Sequence, residues 1–282
     1  MAKAFADQGH AVTTLVRPSS NLDRLFELEN RVRVEVHDGS MDNMLAVFDR
    51  GGFDGVAHLA AMALYSHTPQ QACGLMESNI LLGTRLLEGA ASAGTAWFVD
   101  TGTYWEHYRG EAYNPVCLYA ATKRAFHDLL HFYCDAHGLK ATTLVLHDTY
   151  GPADPRPKLF SLLKKIAQTG ESLDMTAGEQ IIDLVYIEDV AHAYIQAAEL
   201  LAAQPAGGGR PTRYAIRGGN PISLQELVRV YAQTTGATLN INWGAKPYRE
   251  REVMAPWGGE PLPGWTPGTS LQRGIALMEK AR

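Results

Sequence analysis

Cysteine is scarce. The three in 282 residues, Cys73, Cys117 and Cys134, are odd in number and lack C-x-x-C spacing, so neither a disulfide framework nor a zinc site is expected. The ten histidines form no metal-type spacing either. No apolar run approaches the length of a membrane span, and no signal peptide opens the chain, so no membrane partner is expected. Charge of one sign is not in excess: 25 Lys and Arg stand against 30 Asp and Glu, a formal charge of −5, which excludes any strong electrostatic case for nucleic acid. There is no internal repeat, which sets aside solenoids and propellers. What remains is the expectation of a soluble cytoplasmic protein of one large or two unequal domains, with a composition ordinary for an enzyme or for many non-enzymes.

Hydrophobic patterning supplies the architecture. MAKAFADQGH reads as the end of a helix closing on Gly9, and AVTTLVR and VRVEVHD as strands. FDGVAHLAA is a short apolar strand, MESNILLGTRLLEGAASAG a helix and TAWFVDTGT a buried strand. The helix beginning near YAATK continues through KRAFHDLLHFYCDAHG to the strand ATTLVLHD. Strands alternating with helices of this length imply βαβ units and a parallel sheet. Beyond Asp148 the pattern changes to a proline-rich loop, GPADPRPKLF, a helix over LFSLLKKIAQTG and a strand-to-helix unit over DLVYIEDVAHAYIQAAELLAA. After the linker AGGGRPT come a strand, RYAIRGG, and a helix whose Ser223 and Glu226 have capping-box spacing. The end, rich in Trp, Pro and Gly, suits a substrate lid better than a core.

Within this frame Tyr119 and Lys123, in YAATK, share one face of a helix at i and i+4. An ammonium beside a phenol stabilises the phenolate and lowers a pKa that is about 10 unperturbed, making the tyrosine an acid and base near neutral pH. A hydroxyl at the end of the preceding strand, Thr101 or alternatively Thr103, could bond the same substrate oxygen. Read alone, His58 is a core histidine and Lys158 a solvated lysine.

Taken in order, HLAA, the helix containing Asn79, TGT, YAATK, YGP, LVYIEDVA and PGWTP resemble the extended short-chain dehydrogenase/reductases, the NAD(P)-dependent epimerase/dehydratase family acting on nucleotide sugars. TGTYWEHY, NPVCLYAATK, TYGPADPRPKLF and PYREREVM look most like the abequose and paratose synthases, reductases of a 4-keto group on nucleotide-linked deoxyhexoses. The resemblance implies a Rossmann-type, doubly wound α/β sheet over residues 1–147 and 184–218, and a smaller substrate domain over 148–183 and 219–282. It further implies catalysis by Thr101, Tyr119 and Lys123, with Lys123 also holding the nicotinamide ribose. Asp38 would bind the adenine amino group, Leu59, Ala60 and Ala61 would lie beside the cofactor ribose and diphosphate, and Asn79 would support the site from its helix. Asp148, Thr103 and Arg249 would meet the substrate, Arg249 through its diphosphate, and a homodimer would form.

The sequence departs from that pattern in two places. The family's opening strand and G-x-x-G-x-x-G turn, which seat a pyrophosphate on a helix N-terminus, are not in these 282 residues. Gly51-Gly52 and Gly207-Gly208-Gly209 do not replace them, because neither leaves a strand to open a matching helix. The sequence starts within the helix that would follow the turn. The expectation is therefore a physiological start other than Met1 or a truncated relic, a first strand missing from the centre of the sheet, and weak dinucleotide binding. Ile182 also stands where many relatives carry a diphosphate-binding arginine, just before Asp183.

Arg17 closes the second Rossmann strand where an acidic residue would select NAD, with Ser19 and Ser20 behind it, which favours NADP(H) over NAD(H). Keto reduction is the expected reaction, with an NAD-dependent 4-epimerase as the alternative and a non-catalytic sensor or scaffold as a further one. Gly102 and Thr103 fill the positions of the Asp-Glu pair that a 4,6-dehydratase would need, which argues against dehydration.

Overall fold

The protein, in a computed structural model, is described over residues 1–28, 30–154, 158–205, 207 and 209–280; Gly208 and residues 155–157 of the proline-rich loop lie outside them. Helix α1 (Ala2–Asp7) turns through Gly9, whose φ of +85° is accessible chiefly to glycine, into strand β1 (Val12–Val16). Strand β2 (Val32–Val36) pairs with β1 in parallel, Val12 opposite Val32 and Val16 opposite Val36. Helix α2 (Met41–Gly51) is capped by the Ser40 hydroxyl, which accepts from the Asn43 N–H at 3.1 Å, and leads to β3 (Gly55–His58). Helix α3 (Pro69–Met76), a π turn at Glu77–Leu81 and α4 (Leu82–Ala93) follow without interruption. Then come β4 (Trp97–Thr103), α5 (Leu118–His137) and β5 (Lys140–Leu146).

The second half contains β6 (Asp148–Tyr150), α6 (Leu159–Thr169), β7 (Ser172–Asp174), β8 (Ile181–Ile182) and β9 (Leu184–Tyr186). Helix α7 (Ile187–Ala203), β10 (Thr212–Ile216), β11 (Ile222–Ser223), α8 (Leu224–Thr235), β12 (Asn240–Asn242) and α9 (Leu271–Lys280) complete it. Ser223 caps α8 as its spacing implied, accepting from the Glu226 N–H at 3.1 Å. Among the described residues no helix is long and apolar enough to cross a membrane.

The main sheet has the order β10-β5-β4-β3, all parallel, so its strands end on one edge. Helices cover both faces, as the βαβ pattern required: the fold is α/β. On one face Val99, Leu144 and Ile216 meet Val190 and Tyr194 of α7 and Phe5 of α1. On the other, Phe98 packs with Phe48 of α2, Leu87 of α4 and Phe126 and Leu130 of α5. Gly83 and Gly89 allow α4 to lie this close, since a Cβ on either would fall 2.3 Å from the Phe126 ring or 2.4 Å from the Phe48 ring.

A third cluster joins Tyr150, Phe160, Tyr186, Leu227, Tyr231 and Ile275 away from the main sheet. Three small ladders accompany this second half: β6 with β9, β8 with β11, and β7 with β12.

The main sheet stops at β3, and β1-β2 form a separate ladder. Yet β1 and β3 pack on the same two cores, Val12 with Ala57 on one face and Leu15 with Val56 on the other. Among the described residues no strand bridges them. The inner edges of β1 and β3 thus lack the partner that a complete Rossmann order would place there, as the sequence implied.

Candidate active site

Strand alternation decides which side chains of β4 meet α5 and which meet α7. Asp100 faces α5, where its Oδ1 lies 3.6 Å from the Lys123 ammonium, both side chains fully buried. That separation makes an ion pair, but it is longer than a hydrogen bond. Burial pushes the Asp100 carboxyl up, against the pull of Lys123.

Thr101 faces the other way. Its hydroxyl donates to the His58 carbonyl at 2.6 Å and accepts from the Tyr194 hydroxyl of α7. Thr101 therefore ties β3, β4 and α7 together, while Thr103, at the end of β4, caps the short turn Tyr104–Glu106.

Tyr119 lies in the first turn of α5, two residues past its N-cap, Cys117. The expected acidification by Lys123 is also corrected. Burial first, then the negative charges of Glu106, Cys117 and Asp100, push the phenol above its ordinary value, while the Thr103 hydrogen bond pulls it down.

Asn79 holds α5 in place. From the π turn its amide donates to the Met62 carbonyl at 3.0 Å and to Thr122 Oγ1 at 2.9 Å, and its Oδ1 accepts from the Met62 N–H at 2.7 Å. Thr122 in turn donates to the Tyr119 carbonyl at 2.7 Å. Asn79 thereby joins the loop after β3 to α5 through protein groups. Its π turn sits at the site, a common location for such distortions. Leu59, Ala60 and Ala61 form the exposed loop between β3 and the Met62 anchor.

On the side of the smaller strands, Tyr104 donates to Asp148 at 2.8 Å and stacks on His147 at 4.8 Å. Burial raises the Asp148 carboxyl, opposed by the Tyr104 hydrogen bond and the nearby charges of Lys158 and Arg249. Lys158 itself pairs with Asp154 at 3.2 Å and donates to the Thr149 carbonyl. Arg249 lies over the Tyr65 ring at 4.1 Å; Tyr65 meets Trp105 edge-on at 5.6 Å, and Trp105 meets Tyr119 at 6.2 Å. This aromatic relay brings the C-terminal segment to the catalytic helix. Ile182, in the arginine's usual place, packs in the third apolar cluster and pairs with Ile222.

Glu106 escaped the sequence reading, although Thr103-Tyr104-Trp105-Glu106 has the spacing of a capping box. It is fully buried, accepts the Thr103 N–H at 3.2 Å and pairs with Arg213 of β10 at 2.7 Å.

A family model described as the NAD dependent epimerase/dehydratase family matches residues 1–214. The chain belongs to that family. Among curated relatives it is 26% identical over 252 residues to the CDP-abequose synthase of Salmonella typhimurium, covering 86% of this chain and 82% of the relative. It is 24% identical over 270 residues to the UDP-glucuronate 4-epimerase of Thermodesulfobacterium geofontis, covering 90% of this chain and 80% of the relative. Among solved structures, a UDP-glucose 4-epimerase from Stenotrophomonas maltophila with bound NAD and formylated UDP-arabinopyranose superposes with a TM-score of 0.85 at 18% identity, covering 99% of this chain and 92% of that one. The UDP-glucose 4-epimerase of Thermotoga maritima with UDP-glucose gives 0.82 at 22% identity, covering 98% and 93%.

Membership implies a nicotinamide cofactor, and the residues fit it unequally. The buried Lys123 Nζ has no hydrogen-bond partner, which leaves donors for a hydroxyl at the nicotinamide end. At the other end Arg17 is exposed where β1 finishes. Its backbone N–H is held by the Ser20 hydroxyl at 3.0 Å. Asp38 follows β2, with one carboxylate oxygen accepting from the Ser40 N–H and hydroxyl at 2.8 and 2.7 Å. For the diphosphate between these ends, the described residues offer no strand–glycine turn–helix cradle.

Proposed function

We propose that this chain carries the acid–base machinery for reducing a keto group on a nucleotide-linked deoxysugar. The carrying observation is the pairing of Tyr119 with Lys123 one turn apart on α5, the Lys123 ammonium being buried beside Asp100 with no hydrogen-bond partner of its own. When bound, the nicotinamide supplies the hydride. Tyr119 gives its proton to the oxygen of the carbonyl being reduced, and a hydroxyl at the end of β4, Thr101 or alternatively Thr103, steadies that oxygen. Lys123 is the group placed to hold a ribose hydroxyl. Asp148 and Arg249 meet the substrate from the second half of the chain, residues 148–183 and 219–282, which acts as a substrate domain. Similarity to CDP-abequose synthases over most of the chain supports reduction over epimerisation. Supplied with a nucleotide-linked 4-keto-6-deoxyhexose and NADPH, the protein is expected to consume the NADPH as product forms. Sugar interconversion without net consumption would replace this reading with the 4-epimerase.

NADP(H) is the proposed cofactor because Arg17 offers a guanidinium fork to a 2′-phosphate and no carboxylate to repel it. Arg17→Asp is expected to reverse the NADPH-over-NADH preference in binding titrations, by about tenfold or more from the lost charge contact. An unchanged ratio would defeat the assignment. Three free cysteines suit a reducing, cytoplasmic setting. A homodimer is proposed through α4 and α5, which leave Leu81 just ahead of α4 and Phe132 of α5 exposed, the latter by 59%. Light scattering should give twice the chain mass, falling to one chain in Phe132→Asp; a single-chain mass in the wild type would remove the dimer.

A further inference from the structure

A row of polar side chains crosses the main sheet. His58 of β3, Asp100 of β4, Thr143 of β5 and Arg213 of β10 are register partners in turn. Partners in register share a face of the sheet. That face lies under α5, since the His58 ring meets Phe126 at 5.3 Å and Asp100 lies beside Lys123. Lys123 and His127, one turn apart on α5, both turn towards the row. Asp100, Thr143, Lys123 and His127 are all buried, on a face otherwise built from Phe98, Leu87 and Leu130.

Hydrogen bonds along this row run in one direction. The Thr143 hydroxyl donates to Asp100 Oδ2 at 3.4 Å. A hydroxyl has a single proton, so the bond of 3.0 Å between Thr143 Oγ1 and His127 Nδ1 is donated by the ring. This sets the His127 tautomer, with the proton on Nδ1 and the lone pair on Nε2. Asp100 Oδ1 is left to the Lys123 ammonium at 3.6 Å. The Thr143 methyl seats against Gly102, where a Cβ would fall 2.9 Å from it. A carboxylate in so dry a place is costly unless donors and a cation support it, and the row supplies both.

We propose that Thr143 and His127 are positioning residues for Lys123: the ring donates to the hydroxyl, the hydroxyl donates to Asp100, and the carboxylate so held keeps the ammonium in the site. The consequence for turnover rests on the reductase reading given above; the direction of the hydrogen bonds does not.

The test uses the full chain with 15N in the histidine rings, the His127 signals being identified by their loss in His127→Leu. At neutral pH the wild type is expected to show a proton on Nδ1 and a bare Nε2. Thr143→Val should abolish that preference, and Thr143→Ser should keep it. A wild type with the proton on Nε2, or a tautomer unmoved by Thr143→Val, would overturn the assignment.

The second readout is the acid limb of kcat with saturating NADPH and keto sugar. Loss of a donor to the ionised carboxylate raises its affinity for protons, so the carboxylate is lost at higher pH as pH falls. Thr143→Val is expected to move the limb up by about one pH unit, a tenfold change, as for one hydrogen bond to a charged group. His127→Leu should move it in the same direction, and His127→Asn, which keeps a donor near Nδ1, should restore it. These two variants carry the test if Thr143→Val does not fold. Asp100 is also faced by Glu106 from the turn after β4, Tyr119 from α5 and Tyr194 from α7, none of which is exchanged. The limb is not that of His127, which burial, then the charges of Arg213, Arg124 and His131, push down to about 3. A kcat that falls at every pH with its limb unmoved would show a general structural effect and sink the proposal. A wild type that consumes no NADPH defeats the reductase reading alone, leaving the tautomer to decide the role of the row.

Discussion

Tyr119→Phe is expected to lower turnover of a nucleotide-linked keto sugar by a factor on the order of 10² to 10⁴, the range for losing a positioned general acid. The swap removes a single oxygen, so the fold should survive, with a thermal midpoint within a few degrees of the wild type. The pH response distinguishes this tyrosine from the acidified one that its lysine neighbour suggested. Burial and nearby carboxylates hold the phenol above its ordinary value of about 10, so it stays protonated throughout the neutral range. Reduction by the wild type should therefore show no loss from phenol ionisation below about pH 10. A falling limb near neutral pH that vanishes in Tyr119→Phe would show that Lys123 acidifies the phenol after all. Retention of full turnover by Tyr119→Phe would remove it from the chemistry altogether.

Joining a β-branched strand and a G-x-x-G-x-x-G turn ahead of Met1 should tighten NADPH binding by about a hundredfold or more, roughly 2.7 kcal/mol. The added strand has two unpaired edges to join, β1 on one side and β3 on the other, and apolar cores waiting on both faces. Its glycine turn would supply the backbone donors that the described residues do not offer a diphosphate. A version with the strand but with alanine for the turn glycines isolates the second contribution, and should gain stability with little affinity. Micromolar NADPH binding by residues 1–282 alone would refute the argument, because it would require another cradle within the chain.

The fold was legible because its information is local. The β-branched residues of VTTLV and the apolar start of WFVDTGT specify strands, and Ser223 with Glu226 marks a helix start; the observed elements begin and end within a few residues of those signals. Tyr119 and Lys123 were legible as a pair by their helical spacing. Their electrostatics were not, since Asp100 approaches Lys123 from a strand and Arg213 reaches Glu106 from another. Such cross-element contacts leave no mark in spacing. Thr101 and Thr103 differ by one strand alternation, and sequence offered both. In the structure Thr101 bonds His58 and Tyr194, and Thr103 caps the short turn that follows β4.

The divided sheet carries a liability of its own. Interior strands ordinarily spend their hydrogen-bonding capacity on one another, whereas β1 and β3 each retain an unspent row of backbone donors and acceptors, flanked by Val, Leu and Ala side chains. Such rows are templates for any extended peptide of matching polarity, including one from a neighbouring molecule. In concentrated solution, residues 1–282 should be prone to intermolecular strand addition at that seam, and colloidal behaviour would then report on the centre of the sheet.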